Sequence, residues 1–152
     1  MQPKRTSPSV CKSLLWKTIY NSISDRAVIK VQEPIFISPN SEPEPDVVIA
    51  VNRDGNYLSS HPTPNDVLLI VEISDLTLKY DRETKLSLYA EAKIDNYWIF
   101  NLSDRHLEVY TQSFCDAKDN FAYRSKYIVL ADETINIFSC DRFNFLFSYL
   151  KY

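Results

Sequence analysis

The chain has 152 residues, of which 45% are hydrophobic and 24% are charged, and its formal net charge at pH 7 is −3. This length suffices for one domain with a real core, and the composition is that of a soluble globular protein rather than a disordered or fibrous one. Because non-specific DNA affinity comes mainly from many Lys and Arg contacts with phosphates, the acidic balance argues against a broad basic surface. A net charge of −3 is still compatible with a local basic patch.

The three cysteines, Cys11, Cys115 and Cys140, are far apart and show no metal-ligand spacing. We therefore expect reduced thiols in a cytoplasmic protein, without a disulfide framework or a zinc site. No apolar run reaches the roughly 18 residues of a membrane-spanning helix, so we expect no membrane partner. The chain has a single glycine, Gly55, and we expect Asn and Asp to form most of its tight turns.

The first predicted element is an amphipathic helix from Val10 to Ile23, because its apolar residues recur at helical spacing. Trp16 and Tyr20 add a second, aromatic stripe to this helix. Two short β-branched runs follow, at Ala27–Gln32 and Ile35–Ser38, with a proline between them. They predict one kinked strand or two joined strands.

Two apolar runs predict the next strands, Asp46–Val51 and Val67–Ile73, with a polar connection between them. The second run is nearly all apolar, which is typical of a central strand covered on both faces. A helix is then predicted from Tyr80 to Lys93, with Asp81 as its candidate N-cap and Glu83 in its first turn.

The second half of the chain is predicted to be mostly β-structure. A hairpin at Tyr97–Asn101 and Leu107–Tyr110 is followed by strands at Phe121–Leu130 and Thr134–Phe138, while the aromatic segment Phe143–Phe147 indicates no particular type. The order α-β-β-β-α-β-β-β predicts an α/β (α+β) fold in which helices flank a mixed central sheet. We expect one domain over residues 1–152.

Two carboxylates occupy unusual positions in these strands. Asp46 begins one apolar run, and Glu72 interrupts the end of the other. Charged groups on apolar strands are costly to desolvate unless they are paired, hydrogen-bonded or bound to a cation. The pair therefore predicts a site for a divalent metal.

Four motifs carry a family resemblance: Glu42-Pro43-Glu44-Pro45-Asp46-Val47, Val71-Glu72-Ile73-Ser74-Asp75, the segment Tyr80–Ala90, and Tyr97-Trp98-Ile99. In this order and spacing they resemble the bacterial putative restriction endonuclease family of the PD-(D/E)XK nuclease superfamily. The resemblance runs from about Val28 to Tyr110. It implies a restriction-endonuclease-like fold and an Mg²⁺-dependent endonuclease that hydrolyses DNA phosphodiester bonds, with Asp46 and Glu72 as catalytic metal ligands. Mg²⁺ prefers hard oxygen ligands, so the backbone carbonyl of Ile73 would be a third ligand, and Mn²⁺ would substitute for Mg²⁺.

The chain departs from this superfamily at one catalytic position. Similar proteins carry a lysine two residues after the glutamate, where it orients or deprotonates the attacking water, but this chain has Ser74. The resemblance suggests Lys85 on the following helix as the displaced lysine. Asp81, Lys85 and Tyr89 are spaced so that all three can face the strand ends. Lys79 is the second candidate.

Several of these residues also have ordinary structural interpretations. Asp46 alone is compatible with a turn cap after a proline, and Lys85 alone is more often a solvated helix residue paired with Asp81. Tyr89 and Trp98 are typical core residues with satisfied polar tips. The joint hypothesis for the two carboxylates and the lysine depends on the family resemblance.

Similar proteins also carry an amino-terminal segment before the helix at Val10, with a hairpin and an acidic residue near the site. We therefore expect an amino-terminally shortened fold that lacks this element. Missing strands leave a sheet edge uncovered, which a homodimer would cover. The shortening, the acidic balance and Ser74 keep a second function open: a catalytically impaired nuclease fold that serves as a binding or assembly module, or a truncated remnant.

Overall fold

The computed structural model describes residues 8–23, 25–55, 57–136 and 144–146. Its centre is a six-stranded sheet in the order β1-β2-β3-β4-β5-β6, formed by Ala27–Val31 (β1), Val47–Val51 (β2), Val67–Ser74 (β3), Asn96–Asn101 (β4), His106–Cys115 (β5) and Phe121–Leu130 (β6). Strands β3 and β4 pair in parallel, and the other neighbours pair antiparallel. This mixed sheet confirms the predicted α+β class.

Two helices flank the sheet, as predicted. Helix α1 is Pro8–Ile23. The second helical run, which we call α2, spans 78–91 and consists of an α-helical turn Leu78–Tyr80, a π-helical turn Asp81–Lys85 and an α-helix Leu86–Glu91. A short 3₁₀ turn, Pro64–Asp66, precedes β3, and the strands Thr134–Asn136 (β7) and Asn144–Leu146 (β8) form a separate two-stranded sheet.

The apolar side chains of the sheet divide into two cores, one on each face. Leu15, Ile19 and Ile23 of α1 pack against odd-numbered residues of β2 and β3, such as Val47 and Val71. The core on the α2 side contains even-numbered residues of the same strands together with side chains of α2: Val48, Ala50, Ile70 and Tyr89. Since successive strand residues point to opposite faces, Glu72 of β3 belongs to the α2 face, while Asp46 lies directly before β2.

The structure corrects the second short strand. Ile35–Ser38 does not join the sheet and makes only an isolated bridge between Ser38 and Ser41. Its amide groups donate to loop carbonyls instead. Ile35 and Ile37 bond to Pro43 and Ser41, and Phe36 bonds to Pro62 in the connection between β2 and β3. The segment is therefore held by two loops and not by a neighbouring strand.

The structure also corrects the ends of the second helix. Thr77, and not Asp81, stands at the N-cap, because Asp81 lies one turn inside, where its amide donates to the Thr77 carbonyl over 2.9 Å. At the other end Lys93 has φ 61°. This left-handed conformation ends the helical hydrogen-bonding pattern, so the helix stops at Glu91.

The expected turns at Asp54-Gly55 and Ser103-Asp104-Arg105 are present, but Asn and Asp rarely supply the left-handed backbone conformation. Among the described residues with positive φ, only one is Asp and none is Asn, the set being Gln32, Tyr57, Lys93, Arg105, Gln112 and Asp119 besides Gly55.

Several predicted features lie at the limits of the described residues. Cys115 carries a free, exposed thiol, while the side chains of Cys11 and Cys140 lie outside the described part. Residues 137 and 138 of the predicted strand Thr134–Phe138 lie outside it too. Of the predicted aromatic segment Phe143–Phe147, residues 144–146 form β8 and the two ends lie outside the description. No described helix combines the length and hydropathy that crossing a membrane requires.

An ion pair with a buried carboxylate anchors α2 to the sheet. Glu108 of β5 is fully buried, and both of its carboxylate oxygens accept hydrogen bonds from Arg82 in the π-helical turn, the shortest at 2.6 Å. The Tyr110 hydroxyl donates to the same carboxylate at 2.8 Å. Burial alone would raise the pKa of Glu108, but the hydrogen bonds from Arg82 and Tyr110 outweigh it and lower that pKa to about 2.

This lowered pKa predicts an acid-sensitive contribution to stability. Since the folded pKa lies below the unfolded value of 4.5, Glu108 stabilises the fold above pH 4.5, and the contribution is lost as the pH falls towards 2. At about 1.4 kcal/mol per pKa unit, the contribution at pH 7 is on the order of 3 kcal/mol. We expect Glu108→Gln to lower the free energy of unfolding at pH 7 and to flatten its decline between pH 4.5 and 2.

Urea unfolding at pH 7, 4 and 3 measures both effects. Glu83→Gln is the matched control, because Glu83 is an exposed glutamate on the same π-helical turn. Wild-type and Glu108→Gln proteins with parallel pH profiles would contradict this account of the ion pair.

Candidate active site

The strand register brings Asp46 and Glu72 together. Val47 of β2 pairs with Val71 of β3 in an antiparallel ladder, so residues 46 and 72 are opposite each other at the next step. The Asp46 amide donates to Glu72 Oε2 at 3.2 Å, and the Ile73 amide donates to Asp46 Oδ2 at 2.7 Å. Each carboxylate is therefore held by the backbone of the other strand.

Glu72 is the more deeply buried of the two carboxylates, with 1% of its surface exposed. Its Oε1 accepts hydrogen bonds from Lys85 Nζ at 2.9 Å and from the Tyr89 hydroxyl at 3.0 Å, both on α2. Burial raises the pKa of Glu72 to about 7; the Lys85 charge opposes this shift, and the Asp46 charge adds to it. The carboxyl group therefore binds or releases a proton near neutral pH.

Lys85 reaches the carboxylates from the π-helical turn, and Lys79 does not. Lys85 Nζ also lies 3.5 Å from the Asp81 carboxylate, and Asp81, Lys85 and Tyr89 all face the sheet, as their spacing predicts. Burial lowers the pKa of Lys85, but the nearby carboxylates of Glu72 and Asp81 outweigh it and raise that pKa. The side chain of Lys79 is exposed and does not line the site.

Ser74, two residues after Glu72, holds the start of the helix. Its buried hydroxyl donates a short hydrogen bond to Asp81 Oδ2, and Thr77 Oγ1 donates to the same oxygen at 2.9 Å. The Tyr97 hydroxyl donates to the Asp81 backbone carbonyl at 3.0 Å. Asp81 is 2% exposed, so these contacts fix the start of the π-helical turn from which Lys85 projects.

Lys12 of α1 is a residue of the site that the sequence analysis missed. Its Nζ lies 2.7 Å from Asp46 Oδ1, in an ion pair whose lysine side chain is 25% exposed and whose aspartate side chain is 14% exposed. In the sequence Lys12 belongs to the polar side of an amphipathic helix, and no local signal separates it from an ordinary solvated lysine.

These groups line a cavity of about 510 Å³. Its lining contains the two carboxylates, the two lysines and their neighbours: Asp46, Glu72, Ile73, Lys12, Lys85, Asp75, Leu76, Thr77, Tyr80 and Asp81. The Ile73 amide points towards Asp46, and because the amide and carbonyl of one strand residue point to the same side, the Ile73 carbonyl does so too. Two carboxylates and a carbonyl thus converge at one end of the cavity.

The donor set fits a hard divalent cation with a limited number of protein ligands. Mg²⁺ is typically held by one or two carboxylates together with waters and substrate phosphates, which this pair would match. Within the described ranges, no group of three or more His, Cys, Asp or Glu side chains is arranged as a fuller metal site. The protein donors that now bind the carboxylates are Lys12, Lys85, Tyr89 and two backbone amides.

The fold is similar to that of a crystal structure described as a putative nuclease belonging to DUF820 from Anabaena variabilis ATCC 29413, with a TM-score of 0.65. The match covers 97% of this chain and 82% of that one, and the two sequences are 11% identical. At this identity the likeness concerns the fold alone. No curated protein sequence matches the chain significantly.

The sequence model of one protein family matches residues 1–137, which is most of the chain and includes both carboxylates and Lys85. That family is Uma2, whose description is putative restriction endonuclease. It agrees with the resemblance carried by the four motifs, from the proline-rich segment before Asp46 to Tyr97-Trp98-Ile99. The chain therefore belongs to the Uma2 family of putative restriction endonucleases.

Proposed function

We propose that this protein is an Mg²⁺-dependent endonuclease that hydrolyses DNA phosphodiester bonds. The observation that carries the proposal is the pairing of Asp46 and Glu72 across β2 and β3 in one cavity, with Lys85 Nζ 2.9 Å from Glu72. Membership of the Uma2 family supports the reaction class and DNA as the substrate. Fold alone does not fix a function, so the argument depends on the chemistry of this site.

Asp46, Glu72 and the Ile73 carbonyl would hold the cation. When bound, Mg²⁺ would polarise a phosphoryl oxygen and lower the pKa of the attacking water. Asp46 and Glu72 are ready for this task because backbone amides already orient one oxygen of each carboxylate. The Tyr89 hydroxyl fixes the side chain of Glu72 from the helix side. Such preorganisation avoids the cost of ordering the ligands when substrate binds.

Lys85 acts in this proposal as a cation and not as a base. Its pKa is raised by Glu72 and Asp81, so the ammonium stays protonated at neutral pH. A protonated lysine cannot accept a proton from water, but it can donate hydrogen bonds to that water and stabilise negative charge on the phosphate. The salt bridge to Asp81 and the hydrogen bond to Glu72 hold the ammonium at the edge of the cavity.

A second candidate function is a catalytically impaired nuclease fold that binds nucleic acid or a protein. Ser74 favours it, because its hydroxyl is engaged with Asp81 and no lysine extends from β3. Metal binding without cleavage would support this candidate over the enzyme. The homodimer expected from the uncovered sheet edge stays a prediction.

Plasmid nicking tests the enzyme directly. We expect Mg²⁺-dependent conversion of supercoiled DNA to open-circular or linear forms, and a loss of at least 100-fold in rate for Asp46→Ala, Glu72→Ala and Lys85→Ala, because each removes a charge from the reacting centre. Lys79→Ala is the matched control for Lys85→Ala and should stay within about threefold of wild type. Equal rates for wild type and Glu72→Ala would overturn the proposal.

Metal binding should depend on pH through Glu72. Because its pKa is raised to about 7, the carboxyl is mostly protonated at pH 6 and mostly ionised at pH 8. A bound cation requires the ionised form, so the affinity for Mn²⁺ should rise about tenfold between these pH values, with a proton released on binding at pH 6. Calorimetry in buffers of different ionisation enthalpy measures both quantities. Equal affinity at pH 6 and pH 8 would contradict this account.

Lys12 should compete with the cation for Asp46. Its ammonium lies 2.7 Å from Asp46 Oδ1, and like charges repel, so a metal ion on this oxygen displaces Lys12. Partly exposed ion pairs contribute up to about 1 kcal/mol, so Lys12→Met should tighten Mn²⁺ binding about two- to fivefold. Lys79→Met should leave the affinity unchanged. Weaker Mn²⁺ binding by Lys12→Met would exclude competition between the two cations.

A further inference from the structure

A second, larger groove lies between α1 and the edge strand β1. It encloses about 790 Å³ and is lined on one side by Lys12, Trp16 and Lys17 of α1 and on the other by Ile29 and Val31 of β1. Strand β1 ends the six-stranded sheet and has a described neighbour only in β2. The groove is therefore an open cleft along a sheet edge and shares only Lys12 with the lining of the carboxylate cavity.

Two exposed aromatic rings stand beside this groove. Trp16 is 40% exposed and Tyr20 is 48% exposed, and their rings stack with centroids 5.2 Å apart and an interplanar angle of 26°. In contrast, Trp98 is 3% exposed and belongs to the core on the α1 side. A stacked, solvent-exposed pair offers a planar surface on which a nucleobase can continue the stack.

The charges of the groove suit an anionic chain. Lys12 and Lys17 line it, and within the described part of the chain no carboxylate forms a salt bridge with Lys17. The one acidic residue in the lining is Glu33, and its carboxylate pairs with Lys30 at 2.6 Å. Lys12 pairs with Asp46, which lies outside this lining, so the unpaired charge of the lining is the positive charge of Lys17, although the whole chain is acidic.

The groove connects with the carboxylate cavity through Lys12. This residue lines both spaces and binds Asp46. Lys12, Trp16 and Tyr20 follow one another at intervals of four residues, so they form a row along α1 with steps of about 6 Å. A ligand whose phosphate lies at the carboxylates would extend along this row past the aromatic rings.

We propose that the groove between α1 and β1 binds an unpaired stretch of a nucleic-acid strand, with phosphates on Lys12 and Lys17 and a base stacked on Trp16. This proposal rests on the proposed function, because the nuclease assignment places one phosphate of the strand at the carboxylates. The substrate would then have unpaired nucleotides beside the cleaved bond. Unpaired bases are required because a base within a duplex has both faces already stacked. A second copy of the chain in an isologous dimer fits less well, because it would bring equivalent lysines together.

Oligonucleotide binding without metal tests the groove independently of catalysis. The full chain is titrated in EDTA with a 12-nucleotide oligothymidylate and with a duplex of the same length, while tryptophan emission is recorded. The chain has two tryptophans, and only Trp16 is exposed enough to contact a base. We expect quenching by the single strand, with weaker binding of the duplex.

Three variants separate stacking from charge. Trp16→Phe should bind the oligonucleotide within a few fold of wild type but show no quenching, because its emission comes only from Trp98. Trp16→Ala should weaken binding about tenfold or more. Lys17→Ala should weaken binding and reduce the slope of affinity against salt by about 0.7, whereas Lys118→Ala, an exposed lysine in the turn between β5 and β6, should change neither.

The outcomes distinguish this proposal from the nuclease assignment. Three results would overturn the proposed binding of a single strand in the groove. They are quenching that persists in Trp16→Phe, equal affinity of Trp16→Ala and wild type, and preference for the duplex. So would concentration-dependent dimerisation, seen by sedimentation, that Trp16→Ala abolishes. Plasmid nicking that fails in a protein with intact oligonucleotide binding would count against the nuclease and not against the groove. The emission of Trp98 and far-UV circular dichroism verify that each variant is folded.

Discussion

The burial of one carboxylate is the constraint on which the rest of the site depends. Glu72 is 1% exposed on a strand whose neighbouring residues are apolar, and a charge in that position is costly unless donors surround it. The structure meets this need with Lys85 and Tyr89 from α2 and with the Asp46 amide from β2. Even so, the pKa of Glu72 is raised to about 7, so the group still favours an additional positive charge. A divalent cation would supply it.

Two buried carboxylates on the same face of the sheet show how neighbouring groups decide whether the pKa of a buried acid is raised or lowered. Glu72 and Glu108 both lie opposite Ile99 of β4, one on each side. Glu108 receives a bidentate arginine and a tyrosine hydroxyl, and its pKa falls to about 2. For Glu72, burial raises the pKa, the Lys85 charge offsets only part of the rise, and the charge of the neighbouring Asp46 adds to it. Glu108 is already neutralised by its partners and serves as an anchor, whereas Glu72 is suited to binding a cation.

The π-helical turn Asp81–Lys85 connects these two carboxylates. Its wider turn changes the directions in which consecutive side chains point, and π-helical turns occur often at functional sites. In this turn Arg82 binds Glu108 while Lys85 binds Glu72, so one short segment contacts both acids. Ser74 and Thr77 hold its first residue through Asp81. The position of the proposed catalytic ammonium therefore depends on contacts to three strands and not on the helix alone.

Long apolar runs are a local property, so they predict the central strands without a structure. A charge that interrupts such a run is equally visible in the sequence, and it identified Asp46 and Glu72. The spacing of Asp81, Lys85 and Tyr89 likewise predicts their common face. Only the tertiary structure placed Lys12 beside Asp46 and Arg82 against Glu108, because these pairs join residues 26 or more positions apart through strand register and helix packing. It also showed that Ile35–Ser38 bonds to loop carbonyls, since pairing partners decide whether a β-branched run becomes a strand. Local periodicity predicts which face of a strand or helix a residue occupies, whereas the contacts between residues distant in sequence depend on the folded chain.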